Sequence, residues 1–222
     1  MCPKPGGTAG LTVAARLIQA NFTVLVLEAG GSPDSYGLPY DSPALTGELV
    51  STPLDWNFSS LAIPGLNGRV LKQHRGRTLG GTSSINGLTC RLCCTNHHIS
   101  KFYEAASDLN IQLLVFKRLR TLISQPSFAK YTVGPANGEI VPGPKVQSDE
   151  DIINFIRETT VSTDHQSGTA AMRPLGDQGV VSPTLEVYGV QGLRVVDASI
   201  MPVFVDQHPT AAICMIAEKA AQ

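Results

Sequence analysis

Apolar residues near the start of the chain recur at helical spacing and then form a short, nearly continuous run. Residues 8–20 place apolar side chains three and four positions apart, which predicts a helix. Residues 22–27 form an apolar run rich in Val and Leu, which is typical of a strand buried on both faces of a parallel sheet. Glu28 ends the run. The predicted order is therefore a glycine-rich turn, a helix, a buried strand and an acidic residue.

The rest of the chain alternates irregular stretches with short periodic ones. Residues 32–72 are rich in Pro, Gly, Ser and Asp, which predicts a long irregular excursion, and residues 75–86 form a second glycine-rich turn that enters a helix near Ser83. Apolar spacing predicts helices at 102–107, 111–123, 148–159 and 209–221, and a short buried strand at 193–196. Ser148 precedes a run of acidic residues, so we expect its hydroxyl to cap the third of these helices. Pro209 suits the first turn of the last helix, where its missing N–H needs no partner.

Composition narrows the class of protein. The 222 residues are 42% hydrophobic and 16% charged, enough to bury the core of one or two domains. The net charge of −1 lacks the basic excess expected of a nucleic-acid binder, and no apolar run approaches the roughly 20 residues that span a bilayer. No signal peptide is readable, and five cysteines, an odd number with three of them clustered at 90–94, make a poor disulfide framework. We expect a reducing, intracellular setting, with secretion left open if the translation start lies upstream.

The first glycine-rich turn carries the clearest chemistry. Gly6 and Gly7 precede the first predicted helix, and Gly10 lies in its first turn. A dinucleotide fold needs glycines here for a tight turn, for close approach of a pyrophosphate and for helix packing, and the helix N-terminus holds the phosphates. Glu28, at the end of the next strand, suits the ribose hydroxyls, so nucleotide binding is favoured over an ordinary turn. Pro5 takes the first glycine position, and we expect no strand in residues 1–4, which leaves the strand at 22–27 without its neighbour.

Four blocks that occur in order resemble one protein family. They are GGTAGLTVAARL…VLVLEAG from residue 6, HRGRTLGGTSSIN from residue 74, HQSGTAAM from residue 165 and GLRVVDASIMP…HPTAA…MIAEKAA from residue 192. Together they resemble the glucose–methanol–choline (GMC) family of FAD-dependent oxidoreductases. The resemblance implies an α/β fold, a Rossmann-like FAD-binding domain that is incomplete here, with a C-terminal segment completing the flavin site and most of the substrate domain missing. We therefore divide the chain into an N-terminal FAD-binding portion (1–95), a remnant or junction (96–128) and a C-terminal portion with the active-site histidines (129–222).

The resemblance implies FAD as the cofactor and assigns residues to it. Gly7 and Gly10 would face the diphosphate and Glu28 the adenosine ribose. The loop against the flavin and diphosphate would comprise Arg77, Gly80, Gly81, Thr82, Ser83 and Asn86. Asp197 would lie near the ribityl chain, although a cap or turn role suits it nearly as well. The helix that begins at Pro209 would point its positive end at the flavin ring and stabilise the anionic reduced form.

His165 and His208 match the active-site pair of the family. One imidazole would accept the proton of an alcohol while hydride moves from the carbinol carbon to flavin N5, and the other would orient the hydroxyl. We assign the base to His165 and expect the two rings to converge. The implied substrate is a primary or aryl alcohol or a sugar, in alcohol oxidation or fungal-type secondary metabolism, and the acceptor is oxygen or another electron carrier. Two alternatives remain open, a non-redox cyclase of secondary metabolism and an inactive fragment that acts only by binding a partner.

Two further features are assigned no role in catalysis or cofactor binding. The cluster Cys90, Cys93, Cys94, His97 and His98 contains half of a zinc ligand set, but no separated second pair follows, so we predict no metal. The basic residues Lys117, Arg118 and Arg120 are interpreted as a solvated helix face. The missing parts of the fold should leave apolar surface uncovered at 22–27 and 193–196.

Overall fold

The computed structural model describes residues 2–87, 102–129, 131, 139–205 and 208–222. Its α-helices are α1 (Thr8–Gln19), α2 (Leu38–Asp41), α3 (Ala106–Ile123), α4 (Pro126–Ala129), α5 (Asp149–Thr159) and α6 (Thr210–Ala220). Its strands are β1 (Cys2–Pro5), β2 (Val24–Leu27), β3 (Phe58–Ser59) and β4 (Lys72–Gln73). Strands β1 and β2 pair in parallel, whereas β3 and β4 pair antiparallel. No helix in the described part of the chain combines the length and the apolar character needed to cross a membrane.

A short first strand precedes the glycine turn, so the expectation that this strand is missing is wrong. Cys2 pairs with Val24 and Pro5 with Leu27, and the N–H of Gly6 donates to the carbonyl of Leu27 at 3.1 Å. The expectation rested on the small number of residues before the turn. Proline also lacks the N–H that a ladder uses. Pro3 and Pro5 alternate with Lys4, so both missing N–H groups fall on the open side of an edge strand, where no hydrogen bond is lost.

Strand β2 is buried on one face only, contrary to the prediction of burial on both faces. Val24 and Val26 are half-buried, while Leu25 and Leu27 are 40% and 56% exposed and nearby Phe22 is 63% exposed. Helix α1 packs against both strands, but the described residues supply nothing that covers the opposite face. The prediction of uncovered apolar surface at 22–27 is therefore confirmed.

The predicted buried strand at 193–196 is not formed. Leu193 is 49% exposed, and Arg194 makes a single isolated bridge with Glu186. The carbonyl of Leu193 accepts from the N–H of Val187 at 3.0 Å, so the segment is one arm of an irregular hairpin. Leu193 is exposed, as expected, but Val195 and Val196 are half-buried, and Val196 packs against the cluster of Ala9, Val13 and Ala217. The expectation of uncovered apolar surface at 193–196 therefore holds only for Leu193.

The helices follow their local signals more closely. Ser148 caps α5, its hydroxyl accepting from the N–H of Asp151 at 3.1 Å, as predicted. The predicted segments 102–107 and 111–123 merge into α3, which begins at Ala106. Pro209 lies one position before α6, at its N-cap, rather than inside the first turn. The second glycine-rich turn leads into a 3₁₀ turn at Gly81–Ile85 instead of an α-helix.

The chain divides into two compact units that interleave in sequence. The first unit comprises residues 1–59, 72–98 and 162–222, and the second comprises residues 60–71 and 99–161. In the first unit, α1 packs against α6 through buried Ala9, Val13 and Ala217. The core of the second unit is built from Ile63, Leu66, Leu71, Tyr103, Leu109, Ile152 and Ile156. These units differ from the three consecutive portions drawn from the sequence, which rest on resemblance and stay a prediction.

Candidate functional site

Two glycine turns that lie far apart in sequence meet in the first unit. The N–H of Gly80 donates to the carbonyl of Gly6 at 2.8 Å. Gly81 has a φ of +59°, and a Cβ on it would lie 2.8 Å from the Cα of Gly7. A positive φ and so close an approach of two backbones both require glycine. The sequence signal of two glycine-rich blocks therefore corresponds to one paired structure.

The start of α1 opens onto this paired turn without a side-chain cap. Gly7 is the N-cap residue, and no side chain accepts from the first turn of the helix. The hydroxyls of Thr8 and Ser83 are hydrogen-bonded at 2.6 Å and join the helix start to the second glycine turn. Free N–H groups at a helix start bind anions, and glycine lets a phosphate approach the backbone. These residues fit the diphosphate of a dinucleotide such as FAD.

Gly10 and Glu28 complete the first turn in different ways. Gly10 is buried, and a Cβ on it would lie 1.9 Å from the carbonyl oxygen of Pro5, so this glycine lets α1 pack against the end of β1. Its expected contact with the diphosphate stays a prediction. Glu28 is half-buried, and one oxygen accepts from the N–H of Gly30 at 3.0 Å. Its other oxygen lies 2.7 Å from where a Cβ of Gly6 would stand, so the carboxylate reaches the turn and fits a ribose hydroxyl.

The remaining residues of the second glycine block play distinct local roles. Thr82 holds the turn, because its hydroxyl accepts from the N–H of Gly76 at 3.2 Å. The guanidinium of Arg77 lies 5.1 Å from the ring centre of Trp56, and its buried Nε finds no partner within the described residues. Asn86 ends the 3₁₀ turn. Arg77 thus retains a donor for a ligand, whereas Thr82 serves the shape of the loop.

The two predicted active-site histidines meet, which confirms the expected convergence. The ring centres of His165 and His208 are 5.0 Å apart, with an angle of 77° between the planes. The ring of Phe204 stacks on His165, with ring centres 6.4 Å apart and an angle of 16° between the ring planes. His165 is half-buried, while His208 is exposed and immediately precedes buried Pro209 and α6. Phe204 was not identified as a site residue from the sequence, although an aromatic residue four positions before His208 could have indicated a contact with the histidine pair.

A buried polar network, also missed from the sequence, supports the turn that carries His165. The fully buried carboxylate of Asp55 accepts from Nδ1 of His74 at 2.7 Å and from the N–H of Arg75 at 2.9 Å. The N–H of His74 in turn donates to Oδ1 of Asp164 at 3.0 Å. Arg75 donates through Nη1 to the carbonyl of Asp164. Residues 55, 74 and 164 thus form a continuous chain that ends beside His165.

The two carboxyl groups of this network respond oppositely to their surroundings. Burial by itself would raise the pKa of Asp55, but hydrogen bonds from three backbone N–H groups and His74 lower it to about 2. Burial dominates at Asp164 and raises its pKa, although hydrogen bonding to His74 and the charge of Arg75 act against the rise. Asp55 is therefore a stable buried anion, while the charge of Asp164 is less favourable.

A single short segment links the histidine pair to the glycine turns. Residues 73–75 contact residues 164 and 166, and residues 80 and 81 contact residues 6 and 7. Gly80 follows Arg75 by five positions, so their Cα atoms lie within about 18 Å of each other. The predicted cofactor turn and the histidine pair therefore belong to one region of the first unit.

Three predicted features receive a different account or fall outside the described residues. Asp197 is exposed and caps the 3₁₀ turn Ala198–Ile200, accepting from the N–H of Ser199 at 2.8 Å, so the structure shows its cap role while its flavin contact stays a prediction. The basic face of α3 is partly paired, Lys117 with Asp149 and Arg120 with Glu139, rather than simply solvated. Residues 90–98, with the clustered cysteines and histidines, lie outside the described ranges.

Comparison with known proteins gives this region a family. Residues 95–217 match the family model described as GMC oxidoreductase. Oxidoreductase cicC of Emericella nidulans is 37% identical over 55% of this chain and 20% of its own length. Versicolorin B synthase of Aspergillus parasiticus is 38% identical over 51% of this chain and 17% of its own length. Choline oxidase of Arthrobacter globiformis is 35% identical over 51% of this chain and 20% of its own length.

The matches are consistent with the site but cover only part of each relative. The matched residues include both histidines of the pair and the N-terminal part of α6. This chain spans about a fifth of the length of the relatives it matches. The family match extends over more than half of the chain. The chain belongs to the GMC oxidoreductase family.

Proposed function

We propose that this chain carries the cofactor turn and the acid–base histidines of an oxidoreductase that oxidises an alcohol. The observation that carries the proposal is the histidine pair, with ring centres 5.0 Å apart in the same unit as the paired glycine turns. The relative named choline oxidase supports an alcohol substrate, because choline is a primary alcohol. The acceptor that reoxidises the cofactor would be oxygen or another electron carrier.

The chain's residues would first hold the cofactor. The open start of α1 and Gly7 would bind the diphosphate, and the carboxylate of Glu28 would accept hydrogen bonds from the adenosine ribose. Bound FAD supplies the acceptor for the hydride. Helix α6 begins at Thr210, two positions after His208, and lacks a side-chain cap, so the partial positive charge of its N-terminus would stabilise negative charge near the pair.

His165 is the better candidate for the base. It is half-buried and stacked on Phe204, so its ring is held in one orientation, whereas His208 is exposed. An imidazole nitrogen with a free lone pair can accept a proton from an alcohol that lies within hydrogen-bond distance. In the proposed step a ring nitrogen of His165 takes the hydroxyl proton while the carbinol C–H bond breaks and its hydrogen leaves with the electron pair. The product is an aldehyde or ketone, and His208 would donate a hydrogen bond that orients the substrate oxygen.

The test combines flavin absorbance with single histidine replacements. The purified chain would be incubated with FAD, and choline and a benzylic alcohol would be added without oxygen while the visible absorbance is followed. We expect bleaching by an alcohol, with a rate that falls by about 100-fold or more in His165→Asn and in His208→Asn, the usual scale for losing a general base. His97→Asn, the same chemical change at a residue without a proposed role, serves as the control. Bleaching that is indifferent to both replacements would refute the assignment.

A second candidate is a non-redox cyclase that keeps the flavin site. The 38% identity to versicolorin B synthase favours it, because that relative is named as a synthase rather than as an oxidoreductase. The same experiment separates the candidates, since a cyclase predicts bound flavin that no alcohol bleaches. A chain that acts only by binding a partner predicts no bound flavin.

A further inference from the structure

Both chain neighbours of His165 are held by three consecutive residues, Gln73, His74 and Arg75, which we call the 73–75 clamp. The N–H of His74 donates to Oδ1 of Asp164 at 3.0 Å, and Nη1 of Arg75 donates to the carbonyl of the same residue. On the other side of His165, Nε2 of Gln166 donates to Oε1 of Gln73. The segment that carries the histidine is therefore fastened immediately before and immediately after it.

The backbone at Asp164 gives the clamp a specific task. Its φ is +61°, in the left-handed region that non-glycine residues rarely adopt and that Asp and Asn tolerate best. The N–H of Asp164 donates to the hydroxyl of Ser162 at 3.0 Å, and the clamp holds the side chain and the carbonyl. A residue in this conformation stays there only where its surroundings enforce it. The backbone conformation at Asp164 sets the direction of the chain at residue 165. The orientation of the His165 ring therefore depends on these contacts.

Asp55 holds the 73–75 clamp in place through hydrogen bonds to His74 and Arg75. Its side chain has no exposed area, and it accepts from Nδ1 of His74 and from the N–H of Arg75. It also accepts from the N–H groups of Ser51 and Asn57, each at 3.0 Å, so its carboxylate is fully occupied by the protein. A buried carboxylate with four donors leaves no acceptor capacity for a ligand in this arrangement. Its function is to hold the clamp.

We propose that Asp55, Asp164 and the 73–75 clamp position the His165 ring against His208. The significance of that position rests on the proposed function of His165. These residues act through the two chain neighbours of His165 and contact neither substrate nor cofactor in this scheme. A clamp of this kind distinguishes between replacements at 164. Asn tolerates the left-handed conformation and keeps an oxygen for the N–H of His74, whereas Val loses both properties.

The position of the His165 ring can be measured without any activity. The chain would be labelled with isotopes at histidine, and the ring signals of His165 and His208 assigned by comparison with H165N and H208N. Ring centres 5.0 Å apart predict a nuclear Overhauser cross peak between the two imidazoles. We expect the cross peak in the wild-type chain and in Asp164→Asn, and its loss in Asp164→Val. Asp177→Val, at an exposed position in the same unit, is the matched control and should leave the cross peak unchanged.

Gln73→Ala provides a second variant that removes only the contact with Gln166, in case Asp164→Val does not fold. It should weaken the cross peak and shift the His165 ring signals while the fluorescence of Trp56 stays native. A cross peak that survives both Asp164→Val and Gln73→Ala, or that Asp164→Asn abolishes, would overturn the proposal, as would its absence from the wild-type chain. If the cross peaks behave as expected but His165→Asn still bleaches flavin with alcohol, the proposed function fails and the positioning role stands.

Discussion

Replacing Asp55 by Asn tests whether the buried carboxylate network stabilises the first unit. The carboxylate accepts four hydrogen bonds, from the N–H groups of Ser51, Asn57 and Arg75 and from Nδ1 of His74. Asn keeps the shape and one acceptor oxygen. Its amide nitrogen, however, replaces the oxygen that faces Ser51 and His74, so the N–H of Ser51 loses its acceptor. The replacement therefore removes the charge and leaves a buried donor unpaired.

Two routes give the magnitude of the destabilisation expected for Asp55→Asn. A pKa lowered from 3.8 to about 2 corresponds to about 2 kcal/mol of stability that the ionised Asp55 contributes at neutral pH. A buried N–H left without an acceptor costs about 1–3 kcal/mol. Both routes describe the same hydrogen bonds, so they are not added together. We expect Asp55→Asn to lower the free energy of unfolding by about 2 kcal/mol at pH 7.

The destabilisation caused by Asp55→Asn should depend on pH in a definite direction. A carboxyl group whose pKa is lower in the folded chain stabilises the fold above its unfolded pKa, and this stabilisation is lost as the pH falls. The difference between the wild-type chain and Asp55→Asn should therefore be complete above about pH 5 and fall to about half at pH 3. The raised pKa of Asp164 acts in the opposite direction, because the folded chain then binds the proton more tightly. Both proteins contain Asp164, so its effect cancels in the difference.

Urea unfolding, monitored by tryptophan fluorescence, measures this difference in stability close to the replaced residue. Trp56 is the single tryptophan of the chain and lies directly beside Asp55. With a denaturant slope of about 1–3 kcal/mol per molar urea, the midpoint should fall by on the order of 1 M at pH 7. Asp177→Asn makes the same chemical change at an exposed site of the first unit and should shift the midpoint little. A loss below about 0.5 kcal/mol at pH 7, or an equal loss at pH 3 and pH 7, would refute the reasoning.

Three further predictions concern the glycine turn, the open sheet face and a helix cap. Gly81→Ala should cost about 1–3 kcal/mol in stability and weaken FAD binding in a fluorescence titration, because it combines a φ of +59° with a Cβ 2.8 Å from the Cα of Gly7, whereas Gly176→Ala enters open space and should have little effect. Leu25→Lys and Leu27→Lys should reduce self-association in sedimentation velocity, because these side chains are 40% and 56% exposed on an edge-open sheet, and unchanged association would show that this face is not involved. Ser148→Ala should lower the thermal stability of the second unit by about 1 kcal/mol through loss of the α5 cap, as measured by calorimetry, and Ser148→Asp should restore it.

Features decided by neighbouring residues were predictable from the sequence. The helix at 149–159 and its cap depend on a serine followed by acidic and apolar residues within one turn, and the structure forms both. The helix after the first glycine turn and the strand after it were placed correctly within two residues. The histidine pair and the cofactor residues could be named only because four ordered blocks resemble a family. Spacing alone does not show that residues 165 and 208 meet.

Burial and long-range contacts were decided by the tertiary structure. The apolar run at 22–27 looked doubly buried, but burial of a strand depends on the layers that cover it, and here only α1 covers one face. Strand β1 was missed because so few residues precede the glycine turn, and only the pairing with β2 shows that residues 2–5 form a strand. The network of Asp55, His74 and Asp164 joins positions up to 109 residues apart. Each of those polar residues alone is typical of an exposed loop. Folding buries the side chain of Asp55 completely and His74 and Asp164 in part, so hydrogen bonds within the protein, including those that join the three residues, replace bonds to water and support the turn that carries His165.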